Sequence, residues 1–126
     1  MASVMTKPTP TSAELAILQV LWRRGPATVR EVHDALGADT AYTTVLKTMQ
    51  IMAGKKLVKR DESSRSHLYA PLVQAAPTET RLVNELMDKA FEGSAAKLAV
   101  RALATGKASK AELAEVRALL DELEDA

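Results

Sequence analysis

The chain has 126 residues, a formal net charge of +1 and 47% hydrophobic content, which suits one compact unit or two small ones. It has no cysteine, which excludes a disulfide, a thiolate metal site and a cysteine nucleophile. Only four residues are aromatic, whereas alanine and leucine abound, which favours packed helices. Its N-terminal segment lacks a signal-peptide core, and no apolar run approaches the roughly 20 residues of a membrane span, so we expect a cytoplasmic protein.

Two capping boxes mark the first two predicted helices. Thr11 and Glu14 form the first box, and the apolar residues that follow recur at helical spacing until a Gly-Pro pair ends the helix. Thr28 with Glu31 precedes a second run, which Gly37 ends. The residues predicted to face the core from these helices are Leu15, Leu18, Leu21 or Trp22, Val29, Val32 and Leu36.

A third helix is predicted after Asp39 and Thr40, either of which can cap it. At 100° per residue, one side of this helix gathers hydroxyls, an amide and a cation, and the opposite side is apolar. Ile51 lies near the polar side, without a reason in the sequence. The predicted core side consists of Tyr42, Val45, Met49 and Met52, and the predicted outward side of Thr43, Thr44, Lys47, Gln50 and Gly54.

The residues after this helix predict a β-hairpin, because two β-prone runs, 57–61 and 67–70, flank the polar segment ESSRS. Three helices followed by a hairpin predict a winged helix-turn-helix. Residues 41–60 hold five basic residues and no carboxylate, as a helix laid between two rows of DNA phosphates requires. A solvated charged face is the simpler interpretation, but the bases coincide with the third helix and the wing. The predicted DNA contacts are Thr43, Thr44, Lys47, Gln50, Lys55, Lys59, Arg60, Arg65 and His67.

Catalytic and metal sites are not indicated. His33 and His67 are two histidines without a cysteine or a paired acidic cluster, a pattern typical of surface or packing residues. The serines at 63, 64 and 66 have no recognisable base and orienting acid, and a polar wing tip explains them. We therefore predict no enzymatic activity, no metal and no cofactor.

Charge divides the chain at Pro77. Residues 1–77 carry ten Lys or Arg against six Asp or Glu, and residues 78–126 carry seven against ten. We predict a winged-helix DNA-binding domain over 1–77 and a helical dimerisation domain over 78–126, in which Thr78, and Ser109 with Glu112, cap helices. About 49 residues enclose apolar stripes poorly alone, so a homodimer is favoured over a helical cap on a monomer. The predicted dimer contacts are Leu82, Leu86, Phe91, Leu98, Leu103, Leu113, Val116 and Leu120.

The segments TSAELAILQVLW, PATVREVHDAL, AYTTVLKTMQIM, KLVKRDESSRSHLYAPL and FEGSAAKLAVRAL together resemble the BlaI/MecI group of penicillinase-type repressors, within the BlaI/MecI/CopY set. The resemblance implies an N-terminal winged helix, a C-terminal helical dimerisation part, and repression of operons that often encode β-lactamases, penicillin-binding proteins or other stress functions, and hence antibiotic resistance. By motif match it also places Tyr42, Thr43, Thr44, Lys47 and Thr48 on the recognition helix.

The chain departs from the family pattern at three places. Family members commonly have Lys-Gly where this chain has Lys55-Lys56, so we expect Gly54 to make the turn after the third helix. A membrane-linked protease pathway inactivates staphylococcal members by cutting an Asn-Phe bond. The matching dipeptide here is Arg101-Ala102, so cleavage at this bond cannot be inferred from the resemblance. The copper-responsive branch uses C-terminal cysteines, which this chain lacks.

The sequence thus predicts a homodimeric repressor that binds a near-palindromic operator through its third helix and wing. Proteolytic or other disruption of the C-terminal part would relieve repression. One alternative is a winged-helix regulator that responds to a small molecule, in the manner of MarR proteins. The other is a winged-helix protein-interaction adapter, which the basic, acid-free face disfavours.

Overall fold

The computed structural model describes residues 9–37 and 39–126. Within these residues the chain is mainly helical, as predicted, with one two-stranded antiparallel sheet. Of the helices described, none is both long enough and apolar enough to cross a membrane. The elements in chain order are α1 (Ser12–Arg24), α2 (Val29–Leu36), α3 (Tyr42–Gly54), β1 (Val58–Asp61), β2 (Leu68–Pro71), α4 (Ala75–Ala90), α5 (Ala95–Ala104) and α6 (Lys110–Asp125).

Both predicted capping boxes at the start of the chain are present. The backbone N–H of Glu14 donates to Thr11 Oγ1 at 3.2 Å, and the N–H of Thr11 donates to Glu14 Oε1 at 2.9 Å. Thr28 and Glu31 make the same pair of bonds at 3.1 and 2.9 Å. Each box satisfies N–H groups that a helix start leaves without partners, which explains why α1 and α2 begin where they do.

The core of the first unit lies between α1, α2, α3 and the hairpin. Leu15 and Leu36, predicted as core residues, are only half-buried, because they lie at the margin of the core. Tyr42 was also predicted to face the core and is 37% exposed. As the first residue of α3, it extends past the edge of the core. The buried apolar residues are Ile17, Leu18, Val20, Leu21, Ala27, Val29, Val32, Val45, Met49, Met52, Leu57, Val58, Tyr69 and Val73.

The predicted hairpin is present, and it is anchored to the loop between α1 and α2. Strands β1 and β2 pair from Val58 opposite Pro71 to Asp61 opposite Leu68. Ala27 and Tyr69 exchange two backbone hydrogen bonds of 3.0 and 2.8 Å. The wing is thereby held against the helices rather than projecting as an isolated ribbon, which would be marginally stable.

The end of α3 differs from the prediction. Gly54 stays helical, and Lys56 adopts the left-handed conformation, with φ of 65°. The N–H of Leu57 donates to Met52 O at 2.9 Å and the N–H of Lys56 to Ala53 O at 3.2 Å, which is the Schellman pattern. Leu57 and Met52 are both buried, and their burial requires the chain to turn at residue 56 although a lysine stands there.

The start of α4 also differs from the prediction. The helix begins at Ala75, so Pro77 lies in its first turn, where a missing N–H costs little. Thr78 is not a cap: it is buried, and its hydroxyl donates to Gln74 O at 2.6 Å. The chain forms two compact units that meet in sequence at Leu82 and Val83. The division into functional domains at residue 77 remains a prediction.

The second unit starts with the end of α4 and continues through α5 and α6. Ser109 and Glu112 form the predicted capping box at 3.1 and 2.8 Å. Helices α5 and α6, which are described throughout, contain no buried residue. The unit therefore leaves large apolar side chains in solvent, among them Val100 at 67% and Leu123 at 63% exposure.

Candidate nucleic-acid interface

The outer face of α3, formed by Thr43, Thr44, Lys47 and Gln50, is exposed. The helix contains no carboxylate, and its apolar side is fixed in the core by Val45, Met49 and Met52. Packing therefore determines which side chains of α3 are presented to solvent. These are hydroxyl, ammonium and amide groups, which can bond to phosphate oxygens or base edges.

The N-terminus of α3 lacks the predicted side-chain cap. Ala41 is the N-cap residue, and neither Asp39 nor Thr40 bonds to the first turn. Instead, Thr40 is engaged through its carbonyl, which lies 2.8 Å from His33 Nε2. Because no carboxylate occupies this end, the positive pole of the helix remains available to an anion.

Arg30 is a basic residue beside this end of α3 that the sequence analysis did not identify. Its guanidinium carbon lies 5.0 Å from the centroid of the Tyr42 ring, in a cation–π arrangement. His33 meets the same ring edge-on, with centroids 5.7 Å apart. Tyr42 thus contacts α2 from the start of α3, and it holds Arg30 beside that helix end. An exposed arginine on α2 has no distinguishing pattern in the sequence, because its role depends on this contact between two helices.

An open cleft of about 700 Å³ lies between α2, α3 and the wing. Glu31 and Asp34 also line it, although the charge of Glu31 is already engaged. The hydrogen bond from the backbone N–H of Thr28 lowers the pKa of Glu31 most, and it outweighs the effect of partial desolvation. The Arg24 guanidinium, 3.0 Å from Glu31 Oε2, lowers the pKa further. The polar and basic side chains that line the cleft include Arg30, Tyr42, Gln50, Arg60, Arg65 and His67.

The wing carries both basic and acidic side chains. The Nε of Arg60 donates to Glu62 Oε2 at 2.7 Å, and this bond, with a weaker side-chain interaction between Arg60 and the Tyr69 oxygen, raises the pKa of Arg60. Lys59, Arg65 and His67 are exposed. The structure therefore places all four predicted wing residues near the surface, but Arg60 would have to exchange a carboxylate for a phosphate.

Lys55 is paired with a buried carboxylate. Its ammonium lies 2.8 Å from Glu14 Oε2, and the Glu14 residue is only 3% exposed. Burial alone would raise the pKa of Glu14, but the hydrogen bonds from Lys55 and Thr11, with the charge of Lys55, lower it. Lys55 thus forms an ion pair between α1 and the end of α3, because the buried Glu14 carboxylate needs a counter-charge, and its role as a DNA contact stays a prediction.

Thr48 lies on α3 with its hydroxyl already engaged. The hydroxyl donates to Thr44 O at 2.8 Å, so it can only accept from a ligand, and the residue is half-buried. Within the ranges 9–37 and 39–126, no group of three metal-ligating side chains is assembled. The Nε2 of His33 lies 2.8 Å from Thr40 O and its Nδ1 lies 3.5 Å from an Asp34 carboxylate oxygen, whereas His67 is exposed on the wing.

Residues 10–122 match the sequence profile of a family described as penicillinase repressor. The chain belongs to the penicillinase repressor family. Family members are transcriptional repressors and not enzymes, so the predicted family and the predicted lack of enzymatic activity are confirmed by this membership. The winged helix described above accordingly belongs to a member of a family of transcriptional repressors.

Individual relatives agree with this membership. The transcriptional regulator BlaI of Mycobacterium tuberculosis, in two strains, is 48% identical over 62 residues. That match covers 47% of this chain and 45% of the relative, so it spans somewhat less than half the length of either protein.

Two solved structures are similar to this penicillinase repressor in fold. The DNA-binding domain of the repressor BlaI superimposes with a TM-score of 0.50 and 20% identity, covering 55% of this chain and 87% of that one. A variant of ZitR from Lactococcus lactis gives a TM-score of 0.51 and 18% identity, covering 92% and 74%. At these identities the likeness shows the fold alone, and it confirms the predicted winged helix.

Proposed function

We propose that this penicillinase repressor acts as a homodimer on a near-palindromic operator, which each protomer reads with α3. The observation that carries the proposal is the exposed, carboxylate-free outer face of α3 beside a cleft containing three arginines. A helix inserted into the major groove needs this distribution, since any carboxylate on its outer face would approach a row of phosphates.

The contacts divide by chemistry. Thr43, Thr44 and Gln50 carry the hydroxyl and amide groups suited to base edges. Lys47 is suited to phosphate, and Arg30, with the uncapped start of α3, forms a second phosphate contact that Tyr42 orients. The remaining proposed phosphate contacts belong to the wing and are Lys59, Arg60, Arg65 and His67.

The second unit supports the homodimer. Its helices α5 and α6 bury no residue within the protomer, although both have apolar sides. A second copy would cover these sides symmetrically and set two α3 helices about 34 Å apart, one turn of DNA or a multiple of it. Of the proposed dimer contacts, Leu86, Leu103 and Leu120 are exposed, and the half-buried ones are Leu82, Phe91, Leu98, Leu113 and Val116.

Relief of repression follows from the same division. A signal that cuts or displaces the second unit would separate the two winged-helix units of the dimer without altering any DNA-contacting residue. Arg101 and Ala102 are exposed but lie inside α5, so a protease of a membrane-linked sensor pathway would need that helix to unfold locally. The genes controlled would be those for β-lactamase or other stress functions.

Selection of DNA from a random duplex pool by the full-length chain tests the proposal. We expect the enriched duplexes to share two inverted half-sites at a constant spacing of one helical turn or a multiple. Footprinting on the best duplex should then protect two symmetric patches. Enrichment of single half-sites with no fixed spacing would contradict the dimeric operator, and no enrichment at all would favour a protein-interaction adapter.

A further inference from the structure

Ile51 is an exposed aliphatic side chain on a helix whose other large aliphatic residues are buried or half-buried. All residues of α3 are described, and among its large aliphatic side chains Val45, Met49 and Met52 are at most 1% exposed and Leu46 is half-buried. Ile51 is 48% exposed. The core therefore does not account for the position of Ile51 on this face.

The helical register places Ile51 in line with residues proposed to face DNA. It follows Thr44 by seven positions and Lys47 by four, which corresponds to rotations of about 20° and about 40° around the helix axis. Along the axis it lies roughly 10 Å beyond Thr44, a distance comparable to the width of about 12 Å of the major groove.

Ile51 itself offers a ligand only apolar contact. Thr48, between Lys47 and Ile51, has already donated its hydroxyl to Thr44 O at 2.8 Å. The major-groove edges of the bases offer one apolar group, the C5-methyl of thymine. Resting on the proposed function, we propose that Ile51 contacts a thymine methyl in each half-site and so sets sequence preference at one base pair.

Replacement of thymine by uracil tests this directly, because it removes only the methyl group. The probe is the best duplex from the random-pool selection, with each thymine replaced by uracil in both half-sites in turn. Wild-type protein should lose about four-fold in affinity per half-site at one thymine position, the effect of one buried carbon. Ile51→Ala should bind the parent duplex more weakly and should be insensitive to uracil at that position.

Two controls separate the contact from other effects. Ile51→Val retains a branched side chain and should keep part of the uracil sensitivity. Circular dichroism melting should show Ile51→Ala to be folded, since the side chain is half exposed. Uracil at all other thymines should affect wild type and Ile51→Ala equally.

The outcomes distinguish the inference from the function on which it rests. A chain that selects no duplex overturns the proposed function and the inference together. A chain that selects a duplex but ignores every uracil substitution overturns the inference alone. The inference alone is also overturned if Ile51→Ala shows the same loss of affinity on uracil replacement as wild type. If Ile51→Ala weakens self-association instead of DNA binding, Ile51 belongs to a protein contact and the inference is wrong.

Discussion

Lys56 shows how a single residue departs from its local preference to satisfy the packing around it. Its φ of 65° lies in the left-handed region, which costs a residue with a Cβ about 1–2 kcal/mol. Two contributions offset this cost. The Schellman hydrogen bonds satisfy carbonyl groups at the end of α3, and the turn places Leu57 in the core.

Replacing this lysine by glycine should therefore stabilise the protein. We expect Lys56→Gly to raise the free energy of unfolding by about 0.5–1 kcal/mol, because glycine adopts the conformation freely but loses more backbone entropy on folding. Urea unfolding measures the change. Lys47→Gly, in the interior of α3, is the matched control and should lower stability by about 1 kcal/mol. A loss of stability in Lys56→Gly would contradict the strain.

Glu14 and Lys55 provide a second prediction at the residue scale, on the pH dependence of stability. Because the folded state lowers the pKa of Glu14 from its ordinary 4.5, the pair stabilises the protein fully above that pH. The contribution is lost as the pH falls through the lower pKa of the folded state. We expect Glu14→Gln to cost about 2 kcal/mol near neutral pH and little at acidic pH.

Urea unfolding of wild type and Glu14→Gln across the acid range gives the two stability curves. The gap between them should narrow as the pH falls below about 4.5, the ordinary pKa of a glutamate. Glu112→Gln is the control for the capping box alone, because the N–H of Ser109 lowers the pKa of Glu112 at the surface without an ion pair; its stability gap should be smaller than that of Glu14→Gln. A gap that stays constant with pH would show that Glu14 contributes through its shape and hydrogen bonds rather than through its charge.

At the scale of the elements, α3 and its C-cap residue carry two lysines in different surroundings. Lys47 projects from the outer face, whereas Lys55 is held by Glu14. If about six phosphates are neutralised per dimer, the logarithm of affinity should fall with the logarithm of salt concentration with a slope near −5. Lys47→Ala should weaken binding and make this slope shallower by about 2 for the dimer, with little change in stability.

Lys55→Ala is the matched variant for that measurement. It should lower the free energy of unfolding while leaving the salt slope of the folded protein unchanged, because its charge is directed at Glu14. Operator titration over a series of salt concentrations, with urea unfolding of both variants, distinguishes them. Equal slopes for Lys47→Ala and wild type would remove Lys47 from the phosphate contacts.

The elements that the sequence predicted well are those specified by short-range signals. The capping boxes at Thr11, Thr28 and Ser109 each involve residues three positions apart, and all three are present. The interface residues depend on contacts distant in sequence. Arg30 acquires its position through Tyr42, and Lys55 is paired with Glu14, which lies 41 positions away in the sequence. Composition and periodicity contain neither fact.

At the scale of the whole molecule, the chain consists of two compact units. The unit ending at Leu82 has its own core, and the unit from Val83 has apolar helices that bury no residue in α5 or α6. We infer that the first reads DNA and the second pairs protomers. Two half-sites of modest affinity then bind together, because the second contact becomes intramolecular once the first has formed.

The most direct test of this account compares the full chain with residues 1–82, by sedimentation at micromolar concentration and by titration of the selected operator. The account predicts a dimer for the full chain, a folded monomer for the shortened one, and a loss of affinity of about 100-fold or more on shortening. A monomeric full chain, or a shortened chain that binds the whole operator as tightly as the full chain, would contradict it.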